Sequence, residues 1–324
     1  MDTPVLLIVW RRPHTLLQVI NAIRPVAPKR LFVACDGPDP ERPGEAEKVS
    51  ATRALIETEI DWPCEIERLY SNDNQGCRVG PIRAITWFFE RVEEGVILED
   101  DCVPHFDFFP FCANLLDRYR YDTRVWCISG NNYQRGIWRG DGSYYFGLIP
   151  LTWGWATWRR AWQPYDPDLK RWPAFRDSGL LEGIIQDSVE KEYWSSIWNK
   201  TFQKSEPVTW WDYQWQFNCL VNSGLTIFPN RNLVSNVGFG PDGTHTTFFA
   251  QPTTVDQGLG VLCHPQFVVR DVAADSNCFD NHFGGAEIRK RFKTLSNLKI
   301  RMSTAFRDPL YYPKKILGLP GFLK

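Results

Sequence analysis

No G-x-G-x-x-G stands directly after the first strand-like run of this chain, and no G-x-x-x-x-G-K-S/T occurs in it. Neither a dinucleotide-binding turn nor a phosphate-cradling loop is therefore supported, and a phosphate ligand would depend on arginine and a metal cation instead. Cysteine pairs at metal spacing are missing too: the nine Cys include no C-x-x-C, no His/Cys cluster accompanies them, and their number is odd. That removes a zinc site of ordinary spacing and a fully paired disulfide framework, and it fits reduced packing cysteines in a cytosolic compartment. No apolar stretch reaches the roughly 20 residues of a membrane span. Met1-Asp2-Thr3-Pro4 leads directly into a short strand-like run, with no signal-peptide pattern. Charge of one sign is scarce. With 37 basic against 38 acidic residues the formal net charge is -1, which gives no general attraction to nucleic acid. No internal repeat or low-complexity tract appears.

What is present is a chain of 324 residues with 43% hydrophobic content, enough for one large α/β domain with a sizeable core. Aromatics are abundant, with 15 Trp, 21 Phe and 11 Tyr. Large flat side chains anchor cores and also stack on the apolar faces of sugar rings. Core packing accounts for most of them.

The first half alternates between strand and helix patterns. Pro4 to Trp10 is a continuous apolar run that suits a strand buried on both faces. Pro13 then opens a helix with Leu16, Leu17, Ile20 and Ile23 at helical spacing. Leu31 to Cys35 reads as a second strand closed by Asp36-Gly37-Pro38, completing a right-handed crossover unit. A polar helix over Glu45 to Thr58 and a strand over Glu65 to Tyr70 repeat it. Asn72 to Gly80 is expected as a loop, before a helix marked by Ile82, Ile85, Phe88, Phe89 and Val92. Past residue 104 the pattern predicts a helix over Phe106 to Tyr121, strands over Val125 to Ser129 and Ser143 to Leu148, and a loop between those strands. From about Leu151 the sheet pattern is expected to give way to helices and loops. The fold class that follows is α/β, a mostly parallel twisted sheet flanked by helices, with one polar edge. We divide the chain into a domain over 1–285, with halves at 1–150 and 151–285, and a basic tail over 286–324.

The most informative stretch is Gly95 to Pro104, where Val96-Ile97-Leu98 runs into Glu99-Asp100-Asp101. Three adjacent carboxylates are unfavourable unless a cation offsets them, and hard oxygen donors suit Mg²⁺ or Mn²⁺. In an open α/β sheet the carboxyl end of a strand is also where ligands bind. A solvated acidic turn is the plainer reading of the triplet alone. Arg11, Arg12, Asp36 and Arg78 fall at neighbouring strand ends or loops of the same edge. Ionised Asp36 accepts only, which matches the N3–H of uracil, and an Asp before Gly-Pro equally suits a turn. The three arginines offer planar forks for phosphate or base, or are ordinary surface charges. Asp212, between Trp211 and Tyr213, has two readings as well: a carboxylate raised by desolvation to act as a general base, or a helix cap.

With Arg12, Asp36, Glu99-Asp100-Asp101 and Trp211-Asp212 in this order, the sequence over roughly Pro4 to Thr246 resembles the GT-A superfamily of nucleotide-diphospho-sugar transferases. Its inverting members, such as the family-2 enzymes and the N-acetylglucosaminyltransferase that initiates complex N-glycans, are the most similar. The resemblance implies a GT-A fold and a divalent cation, Mn²⁺ or Mg²⁺, held by the acidic motif with Asp101 as direct ligand. It implies nucleotide-sugar contacts from Arg11, Arg12, Asp36, Arg78, Glu99 and Asp100, and Asp212 as catalytic base. In Asn236 to Thr246 a Gly-containing loop carries His245, which is either a further ligand to the metal or the diphosphate or a structural residue of the loop. Where some relatives carry a His before the fourth helix, this chain has Cys77-Arg78.

The function implied is transfer of a hexosyl or N-acetylhexosaminyl group from a UDP-sugar to a hydroxyl of a glycan or lipid-linked glycan, in surface glycan biosynthesis. Nucleic acid is not an expected partner. The tail, with Arg289, Lys290, Arg291 and Lys293 among apolar residues, is either a packed helix or a peripheral contact with anionic lipid, which places the protein in the cytoplasm or at the inner membrane face. A sugar nucleotidyltransferase shares the sheet and acids, but a Gly-rich basic loop would follow its first strand, where this chain has Trp10-Arg11-Arg12-Pro13. A non-catalytic carbohydrate-binding protein leaves the acidic triplet without a role.

Overall fold

The computed structural model describes residues 1–204, 207–239 and 258–292. Strand β1 (Val5–Val9) is followed by helix α1 (Pro13–Ile23), β2 (Arg30–Cys35), α2 (Glu45–Glu59), β3 (Glu65–Tyr70), α3 (Gly76–Phe89) and β4 (Glu94–Glu99). These four strands are parallel, in the order β3-β2-β1-β4. Side-chain alternation along β1 shows why helices cover both faces. Val5, Leu7 and Val9 pack with Leu16, Val19 and Ile20 of α1 and Val49 and Ile56 of α2. Leu6 points the other way, to Ala84, Ile85 and Phe88 of α3. Pro13 at the start of α1 fixes a helical φ where no backbone donor is needed.

The chain continues through β5 (Cys102–Pro104), α4 (Phe108–Arg118), β6 (Val125–Ser129), β7 (Tyr144–Gly147), β8 (Trp155–Trp158), α5 (Arg159–Trp162), α6 (Trp172–Asp177), α7 (Leu180–Ile184), α8 (Ser188–Gln203), α9 (Asp212–Val221), β9 (Leu225–Pro229), β10 (Val234–Asn236) and α10 (Val272–His282). The sheet has eight strands in the order β3-β2-β1-β4-β8-β6-β9-β7, with β8 antiparallel to both neighbours, β9 parallel to β6 and β7 antiparallel to β9. The mixed α/β class read from the sequence holds.

Two expectations are corrected. The sheet does not stop near Leu151: Trp155-Ala156-Thr157-Trp158 enters its middle, each residue at most 2% exposed. A central strand is buried on both faces and therefore lacks the polar alternation that would have marked it. The stretch before Ile82 is not all loop, because α3 begins at Gly76. Its first turn is organised by the distant Asp36, whose carboxylate accepts the N–H of Gln75 at 2.9 and 3.0 Å and of Gly76 at 3.0 Å. A cap supplied from 40 residues away leaves no local signal.

Most of the aromatics are core. Trp126, Trp155, Trp162, Trp211 and Trp215 form one cluster beneath the sheet. Trp172, Trp194 and Trp198 form a second with Phe217 and Phe279. Among the described residues no helix is long and apolar enough to cross a membrane. Residues 285–292 form the first turns of the expected tail. There Arg289 is taken up by ion pairs with Asp187 and Asp280. The tail beyond Phe292 lies outside the described residues, as does His245.

Candidate active site

The carboxyl ends of β1, β2 and β4 are tied together by one residue, Trp10. Its backbone N–H donates to Asp100 Oδ2 at 2.9 Å, and its indole N–H donates to the Gly37 carbonyl at 3.0 Å. Gly37 must be glycine, because a Cβ there would sit 2.5 Å from the backbone of Asp73. Arg53 joins the next strand by donating to the carbonyls of Asp36 and Ser71 at 3.3 and 2.6 Å. These contacts hold the loops of the sheet edge around a cavity of about 1300 Å³. Arg12, Asp36, Glu99, Asp100, Asp101 and Asp212 all line it.

Arg12 is the cation nearest the acidic triplet. Its guanidinium spans two carboxylates, Nη1 at 2.6 Å from Asp101 Oδ2 and Nη2 at 2.6 Å from Asp100 Oδ1. Only the Asp101 contact has hydrogen-bond alignment; Asp100 Oδ1 meets the guanidinium off-axis and has no aligned donor. Burial by itself would lower the guanidinium, but the charges of Asp100, Asp101 and Glu99 outweigh it and hold Arg12 above its ordinary value. Burial, with Asp101 adding repulsion, holds both Glu99 and Asp100 above the ordinary carboxylate range. One arginine thus leaves three carboxylates short of positive charge.

That shortfall is the test of whether a hard cation fits. Among the described residues no group of three or more His, Cys, Asp or Glu forms a ready metal cage. Mg²⁺ characteristically takes one or two carboxylates and completes its shell with water and substrate phosphate. Asp101 Oδ1, contacted by the Cys102 thiol at 3.5 Å, remains outside the arginine clamp. The donor chemistry fits a divalent cation, with Asp101 as the residue to hold it. The antiparallel pair β5–β10 brings Gly238 down on this group, where a Cβ would fall 2.0 Å from Asp101 Oδ2 and 2.9 Å from Arg12 Nη1.

Asp36 reaches the cavity wall with its carboxylate occupied by backbone donors, those of Gln75 and Gly76 and that of Gly37 at 2.9 Å. Arg11 and Arg78 do not line the cavity. Arg11 is drawn to Glu45 at 2.8 Å and lies over the Trp10 ring, and Arg78 binds the Pro167 carbonyl at 2.8 Å and Asp168 at 3.2 Å. Asp212 is the first residue of α9, after Trp211 in the capping position, and its Oδ1 accepts the N–H of Tyr213 at 3.0 Å. Its position is set by aromatic groups binding the turn around it: Tyr165 Oη donates to the Trp211 carbonyl at 2.9 Å, Trp198 to the Tyr213 carbonyl at 3.2 Å, and Trp210 to Thr201 at 3.0 Å. Asp212 also lies close enough to Glu99 to add to its upward shift.

The aromatic part of the cavity lining was not legible in the sequence. Trp153 packs edge-on against Phe239 and His282, and His282 stacks on Tyr133 with centroids 4.0 Å apart. Burial pushes His282 down to about 4, so the ring is neutral at neutral pH. These rings, with Tyr193 of α8 and Tyr213 of α9, give the cavity an aromatic side. They come from six separated segments, and no spacing rule joins them.

No family model matches the chain, and no curated protein matches it. Among solved structures it is similar to HddC from Yersinia pseudotuberculosis, at 9% identity over 49% of this chain and 77% of that one, with a TM-score of 0.31. It is similar to an active-site mutant of LgtC at 10% identity over 66% and 69%, with a TM-score of 0.34. It is similar to apo UDP-glucose pyrophosphorylase at 8% identity over 70% and 89%, with a TM-score of 0.33. TM-scores this low carry no argument, and the fold stands on its own strand order.

Proposed function

We propose that this chain is an inverting glycosyltransferase that takes a UDP-sugar, with Mn²⁺ or Mg²⁺, and transfers the sugar to a hydroxyl of a glycan or lipid-linked glycan. One observation carries the reading: the acids of three separate places in the fold, Asp36 after β2, Glu99 to Asp101 at the end of β4 and Asp212 of α9, line a single cavity together with aromatic rings. The base needs the first, metal-held diphosphate the second and proton removal the third, and sugar rings stack on aromatic faces.

The roles divide by position. Asp101 would hold the cation, which when bound offsets charge on the departing diphosphate. Arg12, already between Asp100 and Asp101, is near enough to the same edge to bind a phosphate oxygen once those carboxylates engage another cation. Asp36, just after β2, lines the cavity where the base would sit, its carboxylate held by the N–H groups of Gly37, Gln75 and Gly76. Asp212 takes the proton from the acceptor hydroxyl, on a turn fixed by Tyr165, Trp198 and Trp210. The aromatic side excludes water and orients the ring. The absence of a Gly-rich basic loop between Val9 and Pro13 argues against nucleotidyl transfer.

The test is calorimetric titration of the full chain with UDP, GDP, CMP and dTDP, with and without Mn²⁺, followed by incubation with UDP-sugars and mass detection of UDP. Selective, metal-dependent UDP binding is expected. Binding of a nucleoside triphosphate with release of pyrophosphate would replace the reading with nucleotidyl transfer.

A further inference from the structure

We infer that the acceptor is an amphiphile, a saccharide on a long apolar chain, and that the chain lies in a groove between α8 and residues 285–292. The inference rests on the sugar-transfer reading and narrows its acceptor to the lipid-linked class. Val189, Tyr193 and Ile197 stand four residues apart on α8, so they share one face of that helix, and all three line the cavity. Residues 285–292 are helical as well, and Ile288 and Phe292, again four apart, line the cavity from there. Phe283 joins the two walls, its ring centroid 6.3 Å from that of Tyr193. Ion pairs hold the second wall in place: Arg289 binds Asp187, the capping residue of α8, at 3.1 Å, and also Asp280 of α10.

The groove begins beside the turn that carries Asp212. From the buried side of α8, Trp194 packs on Tyr213 with centroids 6.0 Å apart, and Trp198 donates to the Tyr213 carbonyl at 3.2 Å. A sugar presented to Asp212 therefore has its aglycone next to α8. From Val189 to Ile197 that wall runs about 12 Å at the helical rise. Five of the six side chains are half-buried and Phe292 is 49% exposed, so among the described residues their apolar surface still meets solvent. Val189, Ile197 and Ile288 are aliphatic and offer no ring for a sugar to stack on; what they favour is another apolar chain. The charges at the edge agree with a lipid linkage. Glu192 and Lys200 of α8 supply one of each sign. Arg291, exposed, flanks the face that carries Ile288 and Phe292 and makes no ion pair among the described residues. The edge is thus net positive, which suits a phosphate between chain and sugar. A glycan with no apolar chain would leave the aliphatic wall in water.

The experiment is calorimetric titration of the full chain with methyl, butyl and octyl glucoside, each below its micelle concentration, and separately with UDP in Mn²⁺. Affinity should rise about 3- to 4-fold for each methylene that the groove buries, the usual worth of a CH₂ taken out of water. Phe292→Ser and Ile288→Ser should each weaken octyl glucoside by about 10-fold or more, with methyl glucoside and UDP affinities unchanged. Phe292 is exposed enough that its loss leaves the fold intact, so the test survives should the Ile288 variant fold poorly. Equal affinity for the three glucosides would overturn the inference, as it would if the chain beyond Phe292 already filled the groove. An octyl preference that survives both substitutions would overturn it too, because the alkyl chain would lie elsewhere. So would a dimer in sedimentation that Phe292→Ser dissociates, since the groove would then be a contact between copies. An octyl preference lost in the variants of a chain that ignores UDP would uphold the groove and sink the transferase reading instead.

Discussion

Arg12 Nη1 lies 2.6 Å from Asp101 Oδ2, so the residue we propose to hold a divalent cation is already paired with a cation the chain carries itself. The arginine comes from the turn after β1 and the aspartate from the end of β4, strands that lie side by side in the sheet.

Removing either partner is unequal in effect. Arg12→Ala leaves Asp100 and Asp101 buried without a counter-charge and is expected to cost about 3–5 kcal/mol at neutral pH, the range for breaking a buried pair. The cost should shrink as the pH falls and the carboxylates protonate. Asp101→Ala leaves Arg12 on Asp100, so the fold should survive while Mn²⁺-dependent UDP binding disappears. Urea unfolding at two pH values and calorimetry check both, and UDP binding that survives Asp101→Ala in Mn²⁺ rules out a metal role for Asp101.

Asp36 has a structural duty whatever it binds. Its carboxylate caps the start of α3 through Gln75 and Gly76, so Asp36→Ala should lower stability by about 1–2 kcal/mol, the upper range for a lost cap. Asn retains an acceptor, and Asp36→Asn should recover most of that loss while relaxing discrimination between UDP and CMP. Unchanged nucleotide selectivity in the Asn variant would leave Asp36 a cap alone.

Glu190 predicts a pH dependence far from the acidic triplet. Burial pushes it up to about 7, opposed by a hydrogen bond from the Trp194 indole N–H, with Asp275 adding repulsion. A carboxyl raised in the folded state binds its proton more tightly there than when unfolded, so its cost to stability grows as pH rises from about 4.5 to above 7. Glu190→Gln keeps an acceptor for Trp194 and should stabilise the protein by about 1–3 kcal/mol at pH 8, with little effect at pH 4. Equal differences at the two pH values would remove ionisation as the cause.

Asp212→Asn separates catalysis from binding. The variant keeps the hydrogen bond from Tyr213 but cannot take a proton, so turnover should fall about 10²- to 10⁴-fold, the usual worth of a general base, with donor affinity intact. Turnover within a few fold of the unaltered chain would exclude it. Its place as the first helical residue, with Trp211 capping, makes a purely capping role a poor account of any large loss.

Local pattern was enough for the parallel half of the sheet, because each strand there is a short apolar run and each helix repeats its apolar residues at helical spacing. The same reading located Glu99 to Asp101 at a strand end, since a strand that must leave the core can carry charge only where it ends. Tertiary structure alone decided the rest. The Trp155–Trp158 strand was hidden because burial on both faces erases alternation. The capping of α3 by Asp36 was hidden because the donors and the acceptor lie 39 and 40 residues apart. Arg11 and Arg78 were indistinguishable in sequence from Arg12, and only the nearness of Glu45, Pro167 and Asp168 drew those two to protein partners. The aromatic lining, and the amide oxygens of Gln216 and Asn131 that have no hydrogen-bond partner among the described residues, belong to the same class. Whether a buried amide finds a partner depends on what the fold packs against it, and the residues on either side of it in the chain carry no record of that.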